Sequence, residues 1–517
     1  MSGTRIVARL GRFAGAGALA GLLLAGGLPG TPKAGAAELP KYETAVAAEL
    51  RSLVPAADYA ARLESLTALA HPFDPALALP PETLARVAAS PCGASIAKLI
   101  EATYRDPRSY AALTLVAAGL TPPPRHYGAR SPWLGAKSAD ALLGRMVGYF
   151  LDWCTFLPRI SGNQDNGLAY IEGVAWLYYR NKAGQDYVQG RDPADPGRPL
   201  DTGLAFTRDF SIERGRFMDD PASTKYVAEW IADPRIEIGD YPLQKASDYK
   251  SWNAFFAREI TIDEKTRTIP SRPATMPLSR YPERDYIVVA PTDCIMNPLV
   301  QVLEKDGKER RRFLDNPLQR DLVLDVKGIP VSVESLLGST PEALKKPFEG
   351  GSGVACVLMP NTYHHFHAPV NGTVRHAEIV KRGTYGYLDW PNWVPPSGNV
   401  GQPGTDFSQF QQFQRGVVII EVHYKGAEGR EKTGFVASIP VGLNTIGSVV
   451  LDPDIKPGKE VKRGYTRIGN FYYGGSLDIL LFSKGLVSAA IQTRLGNQIA
   501  IFNNGTTPPV RPGGASD

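Results

Sequence analysis

The segment Gly474-Gly475-Ser476 runs straight into the apolar stretch Leu477–Phe482. This constrains the chain more than any other feature. A buried strand must follow the two glycines, and the serine hydroxyl must sit at its mouth, where a side-chain-free Gly475 leaves its carbonyl open to approach. Two other segments carry complementary chemistry. Tyr363-His364-His365-Phe366-His367 gathers imidazoles in one place, and Asp293 follows the apolar stretch Tyr286–Ala290 within Ala290-Pro291-Thr292-Asp293. An acid, an imidazole and a hydroxyl on separate segments are the parts of an activated nucleophile. Taken alone, the histidine cluster is also compatible with a zinc site completed by Asp293 or Glu378, or with polar packing.

The order and wording of these motifs resemble the phosphatidylserine decarboxylase family of self-processing, pyruvoyl-dependent enzymes. Ser251-Trp252-Asn253-Ala254-Phe255-Phe256-Ala257-Arg258-Glu259 resembles the segment that opens the family's catalytic domain, and Pro291-Thr292-Asp293 its aspartate motif. Tyr363–His367 followed by Pro369-Val370-Asn371-Gly372 is similar to its histidine motif. Phe435–Gly447 is similar to the strand pair before its cleavage site, and Gly469-Asn470-Phe471 with Gly474-Gly475-Ser476 to the cleavage site itself. The resemblance runs in order from about residue 246 to about residue 485.

The resemblance implies cleavage between Gly475 and Ser476. The Ser476 hydroxyl would attack the Gly475 carbonyl to give an ester, β-elimination would split the chain and leave dehydroalanine, and tautomerisation and hydrolysis with loss of ammonia would leave a pyruvoyl group made from Ser476. His367 would be the base, Asp293 its orienting acid, and His364 the proton donor or acceptor during decarboxylation; His365 is read as structural. The pyruvoyl group would take a substrate amine as a Schiff base and act as electron sink while carbon dioxide leaves. No metal is implied. Two residues depart from the family pattern: Leu477 stands where a small hydroxyl residue is usual, and Cys294 where glycine is usual. Gly338-Ser339-Thr340 imitates the cleavage triplet, but it lies before the histidine motif and is rejected.

The texture divides the chain. Residues 1–36 read as a signal peptide: Arg5, Arg9 and Arg12 precede an uncharged stretch Phe13–Leu28, and Ala34-Gly35-Ala36 has the small-x-small pattern of a cleavage site. Export is therefore expected, to the periplasm or the exterior. Residues 37–245 read as a mainly helical accessory region. Helices are expected over Tyr42–Leu53, Asp58–Ala70, from Pro81, over Ala94–Tyr104, Ser138–Phe156 and Met218–Ile231. Residues 246–517 read as a β-rich catalytic domain, with strands over Tyr286–Ala290, Val354–Met359, Val417–Tyr424, Gly434–Ile439 and Leu477–Phe482, and a helix over Val331–Leu337. The fold class is thus α+β. The cysteines have no CxxC spacing, and Cys92–Cys154 is the first choice for a disulfide, with free thiols as the alternative.

The formal charge of +5 is spread along the chain, which gives no reason to expect nucleic acid. The substrate is expected to be an amino acid or an aminophospholipid. Phosphatidylserine follows from the resemblance. A free aromatic amino acid is favoured by an irregular aromatic segment, 382–412, in which Tyr387, Trp390 and Trp393 could wall a pocket. Large and small chains from one precursor are the expected product, with peripheral membrane contact and self-association left open. The non-enzymatic alternative is an unprocessed exported binding protein that keeps the fold.

Overall fold

A computed structural model describes residues 54–67, 79–122, 131–160, 168–263, 265–266, 269–271, 287–298, 300–305, 308–313, 324–325, 330–331, 336–349, 351–358, 360–383, 413–425, 429–443 and 448–487. Its first half is helical: α1 Ala56–Thr67, α2 Pro81–Ala89, α3 Gly93–Arg105, α4 Pro107–Ala118, α5 Ala139–Thr155, α6 Leu168–Tyr178, α7 Lys182–Val188, α8 Thr202–Met218, α9 Val227–Ala232 and α10 Trp252–Phe256. The local causes are visible in the sequence. Pro81 and Pro107 occupy first-turn positions, where their missing N–H costs nothing, and the Ser138 hydroxyl accepts from Ala141 N at 3.1 Å to start α5. Along α5 the side chains of Leu142, Leu143, Met146, Val147, Phe150 and Trp153 recur at helical spacing, and all are buried. A disulfide joins Cys92, beside the start of α3, to Cys154 near the end of α5.

The second half is built on a seven-stranded antiparallel sheet. Its strands are β1 Ile295–Pro298, β2 Ser352–Leu358, β4 Gly372–Val380, β5 Arg415–Lys425, β6 Glu431–Leu443, β8 Glu460–Val461 and β10 Gly475–Phe482, in the order β8-β4-β5-β6-β10-β2-β1. A three-stranded antiparallel sheet, in the order β7-β9-β3, contains β3 His365–His367, β7 Val449–Leu451 and β9 Arg467–Phe471. β10 is covered on both faces. Leu477, Ile479 and Leu481 pack with Val417, Ile419, Ala437 and Ile439. Leu480 and Phe482 project from the other face into a core shared with Phe366, Ile468 and Phe471. The period of two along one strand therefore places Ser476 on the face that meets the three-stranded sheet.

The fold is α+β, with helices first and the sheets after them. Several local expectations need correction. The helix expected over Met218–Ile231 is interrupted: α8 stops at Met218, Asp220 caps a short 3₁₀ turn at Pro221–Tyr226, and α9 begins at Val227. Ile287–Ala290 is not a ladder strand, and the first strand of the large sheet is β1. Of the helix expected over Val331–Leu337, Val331 belongs instead to a short hairpin strand with Pro330, Leu336 is helical, and residues 332–335 lie outside the described residues. Helix α8 escapes pattern reading because its buried side carries Thr207, Ser211 and Arg214 among Phe206, Phe210 and Phe217. Arg214 is tolerated there because its guanidinium donates to Cys154 O at 3.0 Å and Phe156 O at 3.1 Å. The expected signal peptide, the helix over Tyr42–Leu53, and Tyr387, Trp390 and Trp393 lie outside the described residues.

Gly469 sets the contact between β9 and its neighbour β7. A Cβ there would stand 2.0 Å from Val450 O and 2.8 Å from the Phe366 ring. The backbone cannot yield without breaking the pairing of Gly469 with Leu451 and Phe366. Gly469→Ala is therefore expected to destabilise by about 1–3 kcal/mol, as overpacking does, and to lower the thermal midpoint by several degrees. Thermal unfolding of the variant beside the parent checks this.

Candidate active site

The three chemistry-bearing segments meet through main-chain hydrogen bonds. Val289 N donates to Pro369 O at 2.9 Å, His367 N to Pro291 O at 2.8 Å, and the Thr292 hydroxyl to Tyr363 O at 2.9 Å. The stretch ending in Asp293 thus runs antiparallel to Tyr363–Pro369. On its other side the histidine strand pairs with β9, His365 opposite Asn470 and His367 opposite Arg467, and Phe471 N donates to His364 O at 2.9 Å. From Phe471 the chain turns through Gly474, whose φ of 149° suits glycine, into Gly475 and Ser476. Ser476 lies opposite Leu358 on β2 and Gly442 on β6.

Ser476 is 2% exposed and its hydroxyl has no hydrogen-bond partner among the described residues. Such an atom costs about 1–3 kcal/mol when left unpaired, which sets Ser476 apart from an ordinary turn serine. His364 is fully buried. Its Nδ1 pairs with Thr362 O at 2.8 Å, its Nε2 is unpartnered, and its ring lies 3.8 Å from that of Phe256. His365 Nε2 bonds to Ala257 O at 2.7 Å. His367 Nε2 meets the Tyr363 hydroxyl at 2.7 Å, and the main chain of Gly464 and Tyr465 flanks the ring. Burial pushes His364 and His367 down to about 3, so both imidazoles are neutral at ordinary pH and can accept a proton.

Asp293, half-buried beside the buried Thr292, is close enough for its charge to act on Tyr363. Burial first, then neighbouring charges including that of Asp293, push the Tyr363 hydroxyl well above its usual range. The acid expected to orient His367 is thus accompanied by a tyrosine standing directly on the ring. The histidine motif includes Tyr363 but gives it no role, and its place four residues before His367 is the one local signal for this contact. The three imidazoles bond in different directions, and Glu378 is engaged with Ser339 and His376 instead. Ser339, in the rejected triplet, is exposed.

The helical half supplies one wall. Phe256 covers His364, Ala257 accepts from His365, and the Arg258 guanidinium donates to Asn361 O at 2.9 Å. Asn253 joins α8 to the glycine turn. Its Nδ2 donates to Gly215 O and Asp219 Oδ1, while its Oδ1 accepts from Tyr473 N at 3.3 Å. These residues are part of the Ser251–Glu259 motif, so that motif packs against the site.

The strand that opens on Ser476 thus follows, through one glycine turn, the strand that pairs with the histidine segment. Residues 252–501 match the family model for phosphatidylserine decarboxylase. The phosphatidylserine decarboxylase proenzyme of Fusobacterium nucleatum is 28% identical over 273 residues, 53% of this chain and 73% of that protein. Phosphatidylserine decarboxylase proenzyme 3 of Schizosaccharomyces pombe is 27% identical over 285 residues, 54% of this chain and 24% of that protein. Decarboxylase iboD of Amanita muscaria is 27% identical over 238 residues, 45% of this chain and 58% of that protein. The chain therefore spans less than two thirds of the length of the latter two. Over residues 252–501 the chain belongs to the phosphatidylserine decarboxylase family. That family consists of carboxy-lyases made as proenzymes, whose pyruvoyl group forms from a serine by self-cleavage.

The buried histidines also set an acid response. Their folded pKa lies below the unfolded value of about 6.5, so the unfolded chain binds more protons, and stability is lost as pH falls below that value. Asp478 acts in the opposite sense. Burial raises its carboxyl to about 7, so between that value and its ordinary one the folded state holds the extra proton. Burial lowers His365 as well, so three histidines stand against one carboxyl and the balance between about pH 6 and 4 is a loss of stability as pH falls. His364→Gln removes one of the three histidine contributions and is expected to make that slope shallower. Urea unfolding of parent and variant across this range measures it.

Proposed function

We propose that this chain is a self-cleaving, pyruvoyl-dependent decarboxylase that divides between Gly475 and Ser476. The observation that carries the reading is the buried, unpaired Ser476 hydroxyl at the head of β10, in register with the sheet and joined through β9 to the histidine strand. In this reading His367 accepts the serine proton as Oγ attacks the Gly475 carbonyl. Tyr363 holds the ring, and Asp293 supplies the negative charge that steadies the imidazolium. Elimination then releases Gly475 as a carboxylate that carries the serine oxygen away and leaves dehydroalanine at residue 476, which tautomerises and takes up water, losing ammonia, to become the pyruvoyl end. The orphaned Ser476 oxygen and the absence of a side chain at Gly475 fit a pyruvoyl group made at this place.

Once formed, that group supplies an electron sink for loss of an α-carboxylate. The chain's own residues do the rest. β10 keeps the reacting end in register, Phe256 and the packed strands exclude water from His364, and the free Nε2 of His364 is the atom available to exchange a proton with the decarboxylated carbon. The substrate is the serine head group of phosphatidylserine, in keeping with the names of the Fusobacterium and Schizosaccharomyces relatives. A free aromatic amino acid held by Tyr387, Trp390 and Trp393 is the narrower reading and rests on the sequence alone. Residues 37–245 act as an accessory region and 246–517 as the catalytic domain, exported after removal of 1–36 and working as a large and a small chain from one precursor.

Ser476→Ala is expected to leave one uncut chain with no carbon dioxide release from phosphatidylserine vesicles. The parent should yield a fragment of residues 476–517 with a blocked N-terminus. His367→Ala should abolish cleavage, whereas His364→Ala should cleave and fail to decarboxylate. Intact mass and carbon dioxide assays decide. A parent chain that stays whole overturns the reading in favour of a non-catalytic binding protein. A parent that cleaves but acts only on free amino acids overturns the lipid substrate alone.

A further inference from the structure

Cys294 and Cys356 lie outside the chemistry described above. Cys92 and Cys154 are joined, whereas Cys294, half-buried, and Cys356, fully buried, are free thiols. Met296 on β1 is paired with Cys356 on β2, and Ile295 with Val357. Cys294 is two residues before Met296, so it projects from the same face of the sheet, on the diagonal neighbouring Cys356. The two side chains are in hydrogen-bonding contact. Asp478 on β10 stands directly opposite Cys356, and the Ser438 hydroxyl donates to its carboxylate at 3.0 and 3.2 Å. Ser438, Asp478 and Cys356 on three neighbouring strands, with Cys294 just before β1, thus form a polar stripe on the face that carries Ser476. Continuing the printed register by one residue sets Cys294 opposite Leu358, which is itself paired with Ser476.

We infer that Cys294 and Cys356 form a dithiol that closes to a second disulfide by exchange with a small-molecule or protein disulfide. The two thiols differ in their readiness to react. Cys356 is enclosed, and contact with Cys294, burial and the nearby Asp478 push its thiol up. Cys294 is the one an oxidant can reach. Its thiolate attacks one sulfur of the incoming disulfide, forming a mixed disulfide and releasing one thiol, which takes up the Cys294 proton. Cys356 then attacks the Cys294 sulfur, loses its own proton and releases the second thiol. Two thiols are oxidised by two electrons and one external disulfide is reduced to two thiols. The bond ties the residue after Asp293 to the strand next to that of Ser476. Cleavage at Gly475 is not required for it, since both cysteines precede that point.

The test uses the full chain under native conditions. It is incubated with oxidised glutathione, denatured in the presence of an alkylating reagent without reductant, and mapped by peptide mass. The expected result is loss of both alkylatable thiols and a cross-linked peptide pair containing Cys294 and Cys356, with Cys92–Cys154 unchanged. In Cys356→Ser the glutathione should remain on Cys294, because the resolving thiol is gone. In Cys294→Ser the Cys356 thiol should stay free and be alkylated once the chain is denatured. Two free thiols in the treated parent overturn the inference, as does a lasting glutathione adduct on its Cys294 or a cross-link to Cys92 or Cys154. The parent map decides even if a variant fails to fold, and it does so whether or not the chain decarboxylates anything.

Discussion

Every part of the candidate site depends on the ladder of β10. This strand pairs along its whole length, with β6 on one side from Gly475 opposite Leu443 to Phe482 opposite Val436, and with β2 on the other from Ser476 to Phe482. Its alternate side chains enter two separate apolar cores. A strand held in this way keeps its place when the Gly475–Ser476 bond is broken, because its pairings from Ser476 to Phe482 and the side chains it buries in both cores lie on the C-terminal side of that bond. The small chain proposed here would remain a structural strand of the large one, with its new end fixed where the serine stood.

The histidine strand is short and would be weak alone. It is held by β9 on one side and by the stretch ending in Asp293 on the other, and β9 leads through the glycine turn to Ser476. One continuous piece of chain therefore sets the spacing between imidazole and hydroxyl. Burial has an electrostatic consequence as well. Imidazoles kept neutral by desolvation are proton acceptors, and the same desolvation leaves Asp478 prone to hold a proton.

The helical half also takes part in the site. Phe256 and Ala257 stand on two of the three histidines, and Asn253 carries hydrogen bonds from α8 to the turn before Gly475. The disulfide between Cys92 and Cys154 sits in the core that supports α8, since Arg214 of α8 bonds the carbonyl of Cys154 itself. A disturbance in the helices thus has a direct covalent and hydrogen-bonded route to the glycine turn.

The strands Ser352–Leu358, Arg415–Lys425, Glu431–Leu443 and Gly475–Phe482 were legible in the sequence because each is a β-branched or apolar run between breakers, a property of neighbouring residues alone. Asp293, the histidines and Ser476 were legible because hydroxyls, imidazoles and acids beside glycine and proline make local motifs. The break after Met218 was missed because Asp220 and Pro221 act through cap geometry within an apolar pattern that reads as continuous. Helix α8 was missed because tertiary partners satisfy its buried Arg214. Tyr363 on His367, the contact of Cys294 with Cys356 and the burial of Asp478 could not be read in advance either. Each depends on which strands become neighbours and in what register, and pairings between residues tens to hundreds of positions apart are chosen by the packing of the whole chain. The sequence by itself determined which groups could react and which segments would be strands. Only the tertiary structure decided which of those groups touch, because desolvation and contact exist only once distant strands have closed around them.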